Sequence, residues 1–397
     1  MLVQFMLKNV LSFKEETILD MTAIHAYKEH EYHLIATETA EKVVKVAAIY
    51  GANASGKSNL CVAMEYFQRI ISESFNNVAE DEEMVIQECY APFSFEKEKE
   101  NSEFQIIEIL DGFEYKYGFE YNDQCIVSEW MYRKNLRTNR TAMILERVGN
   151  DVNLGASVRK ECDVYKGQIP PETLALSFFK KLKLKTDIFR EMYFGIMDTL
   201  VADTGIFEDE RIVKKYLPKV IDEGKDKLLE FLTAIDTGIV DIYYRERETE
   251  IDFYTVHKGK DDADYVLSLY AESEGTVKSI GIFIYARIAV LDNKSMFIDE
   301  LNVRLHPLLL KFIIDLFYEE GSAAQLIYTT HDTTLMDKKF FRRDQIWFVQ
   351  KDAFGYSELM ALSDFKVRAD ASFEKDYLAG VYGGIPMLGE FSMKEGE

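Results

Sequence analysis

The sequence predicts an α/β protein with a mixed central sheet, an antiparallel β subdomain and a helical insertion. Three observations carry this. Val43–Tyr50 (VVKVAAIY) is a β-rich, nearly uncharged run of the kind buried in a parallel or mixed sheet, and it leads straight into a glycine-containing turn and an amphipathic helix. Glu103–Ile109 and Tyr115–Tyr121 flank an Asp111-Gly112 turn, which is a hairpin signal. The last third of the chain alternates helical patterns with short apolar runs, the order that places helices on a sheet.

The elements follow in order. Leu2–Lys8 reads as a strand, with Val3, Phe5 and Leu7 on one face. Glu31–Thr37 has the composition of a second strand. After the buried strand Val43–Tyr50, a helix is predicted over Asn59–Phe75, because Leu60, Met64, Phe67, Ile71 and Phe75 recur every three or four residues. Residues 76–90 are acidic and read as surface loop. The hairpin is followed by a third strand at Cys125–Tyr132. From Pro171 to Asp236 the periodicity is helical, broken at Pro218 and Gly224. Ile239–Tyr254 alternates like a strand. A helix is predicted from Gly275 to Val290, a buried strand at Ser295–Ile298, a helix at Pro307–Tyr318, and strands at Gln325–Tyr328 and Gln345–Val349. The expected division is an N-terminal lobe over 1–134, a mainly helical insertion over 135–235 and a C-terminal lobe over 236–397.

Composition narrows the function classes. Of the 397 residues, 47% are hydrophobic, which excludes wholesale disorder. Lys and Arg total 47 against 69 Asp and Glu, a net charge of −22, so the average surface repels bare nucleic acid. The four cysteines, Cys61, Cys89, Cys125 and Cys162, lack metal or redox spacing and read as free thiols of a reducing compartment. Neither a signal peptide nor a membrane-spanning run is found, and the expected location is cytoplasmic.

Residues 51–58, GANASGKS, complete the G-x-x-x-x-G-K-[ST] pattern between a buried strand and a helix. Gly51 and Gly56 let the backbone turn its amides towards phosphate oxygens. Lys57 supplies a positive charge to the β- and γ-phosphates, Ser58 a hydroxyl to Mg²⁺, and the helix N-terminus its partial charge. The expected ligand is therefore ATP with Mg²⁺. Downstream, Met296–Glu300 (MFIDE) ends an apolar strand in two carboxylates. Asp299 suits a magnesium ligand and Glu300 a base for the attacking water. Thr329-Thr330-His331-Asp332 follows another strand at the same expected sheet edge, and His331 is placed to donate to the γ-phosphate or the water.

These residues resemble the ABC-type ATPases of the SMC, RecF and OLD lineage, and more narrowly the compact AAA-15/AAA-21 proteins of bacterial abortive-infection and anti-phage systems. The resemblance runs through Lys8-Asn9-Val10-Leu11-Ser12-Phe13, Gly51 to Asn59 including Asn53, Asp299-Glu300 with Leu305-His306-Pro307, Thr330-His331-Asp332, Arg342 to Phe348, and Tyr377 to Pro386. It implies an ABC-type ATPase head. It also implies a signature-like segment, Glu272-Ser273-Glu274-Gly275-Thr276, whose Ser273 and Gly275 cap a nucleotide held by another copy, with Glu274 turned away. A magnesium-sensing glutamine is implied as well, assigned to Gln87 with Gln105 as the other candidate.

The implied activity is ATP hydrolysis by a head-to-head dimer or an assembly of such dimers. No nuclease domain is recognisable, so a separately encoded effector from an adjacent gene, such as a Toprim-like nuclease, is the expected partner in phage defence. The alternative is a DNA-repair or chromosome-maintenance ATPase that binds DNA through Arg133, Lys134, Arg137 and Arg140 together with Lys180, Lys181, Lys183 and Lys185.

Overall fold

A computed structural model describes residues 1–75, 84–202, 210–247, 250–368 and 371–386. Its centre is a six-stranded sheet ordered Leu200–Ala202, Ser295–Ile298, Gln325–Thr330, Val46–Gly51, Ile346–Lys351, Ser357–Ala361. All neighbours are parallel except the last pair. Val46–Gly51 is buried along its whole length, as its uncharged run requires.

The helix Lys57–Glu73 lies between this sheet and a second one. Its Leu60, Met64, Phe67 and Ile71 share one core with Ala47, Ile49, Phe297 and Ile327 of the central sheet. They share it also with Phe5, Phe104 and Phe119 of a seven-stranded antiparallel sheet, where the Phe67 and Phe119 rings stack at 5.7 Å. That sheet runs Asp151–Leu154, Arg140–Val148, Ile126–Asn135, Phe113–Tyr121, Ser102–Leu110, Leu2–Lys8, Thr17–Asp20. Buried Gln325 ties the two sheets: its side chain accepts from Leu2 N at 2.7 Å and donates to Leu2 O at 2.9 Å and Val44 O at 3.2 Å.

The opposite face of the central sheet presents Val46, Ala48, Tyr50, Ile298 and Tyr328 to the helices Glu274–Asp292 and Pro307–Leu316. A third core joins the kinked helix Glu210–Ala234, the three-stranded sheet of Ile239–Arg247, Glu250–Lys258 and Asp264–Ser268, and the outer face of Glu274–Asp292.

Residues 135–235, expected as one mainly helical insertion, divide four ways, with Leu200–Ala202 forming an edge of the central sheet. Arg140–Val148 and Asp151–Leu154 extend the antiparallel sheet. The helices Ala175–Lys181 and Ile188–Met197 pack beside Lys57–Glu73, while Glu210–Ala234 joins the third core. The polar composition around Arg133–Arg140 concealed strand pairing because this hairpin lies largely exposed at one end of its sheet. The segment after Trp347 adds to the sheet and its core: Ser357–Ala361 is an edge strand, and the rings of Tyr377 and Tyr382 both stack on Phe348 at 5.3 Å.

Candidate active site

The turn after Val46–Gly51 leaves the sheet at its carboxyl edge, where ligands bind in open α/β sheets. Ala54 (φ 61°) and Gly56 (φ 108°) are left-handed, and this curls residues 51–56 back onto the helix N-terminus. A Cβ on Gly56 would lie 2.3 Å from Ser357 Oγ and 2.6 Å from Ser12 Oγ, so only glycine fits. Those two hydroxyls brace the loop from below. Ser357 Oγ lies 2.6 Å from Ser55 O and 2.7 Å from Ser12 Oγ, and Asn59 Nδ2 donates to Ser12 Oγ at 2.7 Å. Asn59, expected to contact the nucleotide, thus supports the loop. Asn53 and Ser58 are exposed at its mouth.

Lys57 is 4% exposed, and its ammonium donates to the carbonyls of Gly51 and Ala52, each at 2.9 Å. Burial lowers its pKa, and the charges of Asp299 and Glu300 oppose that shift. The side chain of Ser55 is buried with its hydroxyl unpartnered. A buried lysine, an orphaned hydroxyl and a glycine-lined cradle fit a polyphosphate.

The carboxylates arrive on the strand Ser295–Ile298, two strands from Val46–Gly51. Thr329 Oγ1 donates to Asp299 Oδ1 at 2.5 Å and accepts from Glu300 N at 2.7 Å, fixing both residues from the neighbouring strand. Glu300 is left-handed (φ 49°), a strain that functional sites hold for about 1–3 kcal/mol. His331 Nε2 lies 3.6 Å from Glu300 Oε1. Among the described residues no cluster of three or more His, Cys, Asp or Glu could hold a metal alone. Magnesium needs only one or two protein oxygens and fills its shell from water and phosphate. Ser58 and Asp299 are the oxygens at hand.

Ser273 is exposed and caps the helix Glu274–Asp292, its Oγ accepting from Thr276 N at 3.1 Å. Glu274 pairs with Arg304 at 3.3 Å. Gly275 backs onto the loop that follows Glu300: a Cβ there would lie 3.0 Å from Arg304 O. Lys278, fully buried one turn on, donates to Leu301 O at 3.3 Å and Val303 O at 2.5 Å of that loop. Among the described residues no hydrogen bond or ion pair joins Ser273 or Gly275 to residues 51–59 of the same chain.

Gln87 is used elsewhere. Its Oε1 accepts from Met84 N at 3.1 Å, closing a short helix, and the adjacent Glu88 pairs with Arg69 at 2.5 Å. Arg69 stands roughly 18 Å along the helix from Lys57 at the α-helical rise. Gln105 accepts from Trp130 Nε1 at 3.1 Å within the antiparallel sheet. Neither glutamine is brought to the phosphate loop by these contacts. A glutamine without a local motif gives no sign of which partner it takes.

Five of the eight proposed DNA-facing cations are engaged within the chain, while Arg140, Lys183 and Lys185 are exposed. Arg133 approaches Glu191 at 4.0 Å, Lys134 pairs with Glu114 at 3.6 Å and Arg137 with Glu38 at 2.8 Å. Lys180 lies over the Tyr193 ring at 3.6 Å and Lys181 over the Phe75 ring at 4.7 Å. Sequence reasoning missed Ser357, Thr329 and Lys278 as parts of this site. Thr329 stood beside His331 in a polar cluster already singled out, whereas Ser357 and Lys278 carried no motif of their own.

The family model described as "AAA domain, putative AbiEii toxin, Type IV TA system" matches residues 46–337. No curated protein matches the chain. Similar solved structures include an SMC head bound to the C-terminal winged-helix domain of ScpA, 14% identical over 95% of this chain and 99% of that one, TM-score 0.44. The SMC head domain from Thermotoga maritima is 16% identical over 91% and 98%, TM-score 0.41. The Smc head with an extended coiled coil, bound to the C-terminal domain of ScpA and derived from Pyrococcus furiosus, is 14% identical over 95% and 98%, TM-score 0.43.

Proposed function

Because the chain belongs to the AAA-21 family of AAA domains, we propose that it is a Mg²⁺-dependent ATPase whose complete active site forms between two copies. One observation carries the reading: a buried Lys57 ammonium, held by the loop carbonyls of Gly51 and Ala52, sits in the field of Asp299 and Glu300 at the carboxyl edge of the sheet. Loop amides cradle the phosphates, and Lys57 exchanges its two carbonyls for β- and γ-phosphate oxygens. Ser58 and Asp299 would hold magnesium, which when bound would neutralise phosphate charge. Glu300 takes a proton from water as its oxygen bonds to the γ-phosphorus and the bridging bond to ADP breaks. His331 holds a γ-oxygen or the water, and Thr329 keeps Asp299 in place. Ser273 and Gly275 of the second copy cap the same phosphate.

Turnover at such a site controls a separately encoded effector in anti-phage defence. The family description, with its toxin and toxin–antitoxin terms, supports a paired gene arrangement. The engagement of Arg133, Lys134 and Arg137 with acidic side chains favours a protein partner over direct DNA binding. The deciding experiment measures ATP affinity by calorimetry and steady-state phosphate release. Lys57→Ala is expected to weaken ATP by roughly tenfold or more, the size of a lost charged hydrogen bond. Glu300→Gln is expected to keep ATP and lose turnover. Unchanged affinity in the first variant would overturn the phosphate-loop reading, and wild-type turnover in the second would remove Glu300 as the base.

A further inference from the structure

The residue before Ser273 is held more firmly than a helix cap requires. Glu272 turns its carboxylate inward, with its side chain 10% exposed. One oxygen, Oε1, accepts from Thr255 Oγ1 at 2.5 Å and from His257 Nε2 at 2.7 Å. Thr255 is fully buried. Thr255 and His257 are two residues apart on Glu250–Lys258, so they share one face of that strand. The strand is the middle one of its three-stranded sheet, paired on both sides, and so offers a fixed platform.

A serine N-cap needs only its own hydroxyl and the amide it accepts from. Two converging donors on the preceding carboxylate add nothing to that cap. They do fix where the chain enters it. On the far side, Lys278 ties the same helix to the carbonyls of Leu301 and Val303, just after Glu300. The Ser273–Gly275 segment, exposed at Ser273 and Glu274, is thus clamped between the three-stranded sheet and the carboxylate loop.

We infer that Glu272, held by Thr255 and His257, is a positioning residue that sets the place from which Ser273 and Gly275 reach the nucleotide bound by the second copy. The inference rests on the composite site proposed above. A displacement of about 1 Å at a reacting phosphate costs on the order of a hundredfold in rate, so an exposed segment that must meet another molecule's phosphate needs such an anchor.

The test separates a role in the partner's site from one in the chain's own. Glu272→Ala should bind ATP as the wild type does, since Lys57 is intact, yet lose turnover by ~tenfold or more through kcat. Glu272→Gln keeps an acceptor oxygen and should restore most of it. Mixed with a Lys57→Ala chain, Glu272→Ala should regain activity, because one of the two sites then combines an intact Lys57 with an intact Glu272. Thr255→Val, which removes only the hydroxyl, should show the same pattern more weakly, and it decides the matter if Glu272→Ala fails to fold. Wild-type turnover in Glu272→Ala and Thr255→Val, with Ser273→Arg inactive, would overturn the inference and leave the composite site standing. Loss of the variants' own ATP binding, or no recovery on mixing while a Ser273→Arg and Lys57→Ala mixture does recover, would also overturn it. A fully active Ser273→Arg chain would overturn the composite site itself.

Discussion

At the scale of single residues, His33 shows how burial converts into a pH dependence. It is 1% exposed, its ring stacks on Tyr318 at 3.6 Å, and Nδ1 meets Gln345 Oε1 at 2.8 Å. Burial pushes its pKa down to about 3, although the Gln345 hydrogen bond works the other way. An unfolded histidine titrates near ~6.5. Between those values the unfolded chain holds a proton that the folded chain lacks, so acid favours unfolding and stability rises with pH. The buried carboxyl of Glu108 has the opposite sign, because burial raises its pKa to about 7 and its stabilising proton is lost as pH rises. A comparison of variants isolates the histidine: urea midpoints of wild type should fall from pH 7 to pH 5 by more than those of His33→Phe, which keeps the stacking surface. Equal falls would show that His33 does not titrate on unfolding. Nothing in Glu31–Thr37 announced this burial. Lys57, Asp299, Glu300 and His331 were legible because their chemistry demands fixed spacing from glycine or a strand end. The environment of His33 is made by residues about three hundred positions away, which no local pattern encodes.

Elements show the same division. Strands that are strongly apolar were readable, as Leu2–Lys8 and Ser295–Ile298 match their expected bounds. The edge strand Ser357–Ala361 escaped notice because only its two end residues are buried. Yet it supplies Ser357, which fixes the phosphate loop. Gly56→Ala should therefore cost more than a turn glycine elsewhere, since it adds a left-handed strain of about 1–3 kcal/mol to a clash with Ser12 and Ser357. ATP affinity and the urea midpoint should both fall, and a variant with wild-type affinity would show that the brace yields. A second device holds Ala175–Lys181. The buried Glu129 carboxylate accepts from Ala175 N at 2.6 Å, Leu176 N at 2.9 Å and Tyr117 OH at 3.0 Å, and it stands 3.9 Å from buried Arg147. Arg147 in turn donates to the carbonyls of Gly149, Pro170 and Thr173. Glu129→Ala strands a buried guanidinium and should destabilise by about 3–5 kcal/mol in chemical denaturation. A loss below ~1 kcal/mol would mean that the carbonyls alone compensate the charge.

For the whole molecule, the proposed composite site makes association part of the chemistry, because it needs Ser273 and Gly275 of one copy over residues 51–59 of another. Trapping ATP with Glu300→Gln should convert monomers into dimers in light scattering, and adding Lys57→Ala to the same chain should abolish the shift. Monomers at every nucleotide state would exclude the composite site. The partner follows from the same reasoning. A chain of net charge −22, whose Arg133, Lys134 and Arg137 already face carboxylates, repels bare DNA on average, so the assembly proposed for it is directed at another protein. The expected partner is the product of an adjacent gene. Plaque counts with each gene alone, both together, and both with Lys57→Ala test this directly. Protection should need both genes and should disappear with Lys57→Ala, because that variant weakens nucleotide binding while leaving the partner's own fold intact. Protection that survives Lys57→Ala would take ATP out of the mechanism, and full protection by this gene alone would remove the obligatory partner. Salt-sensitive binding of the purified chain to bare duplex, lost on charge reversal at Arg133, Arg137 and Arg140, would instead place DNA where the effector is expected.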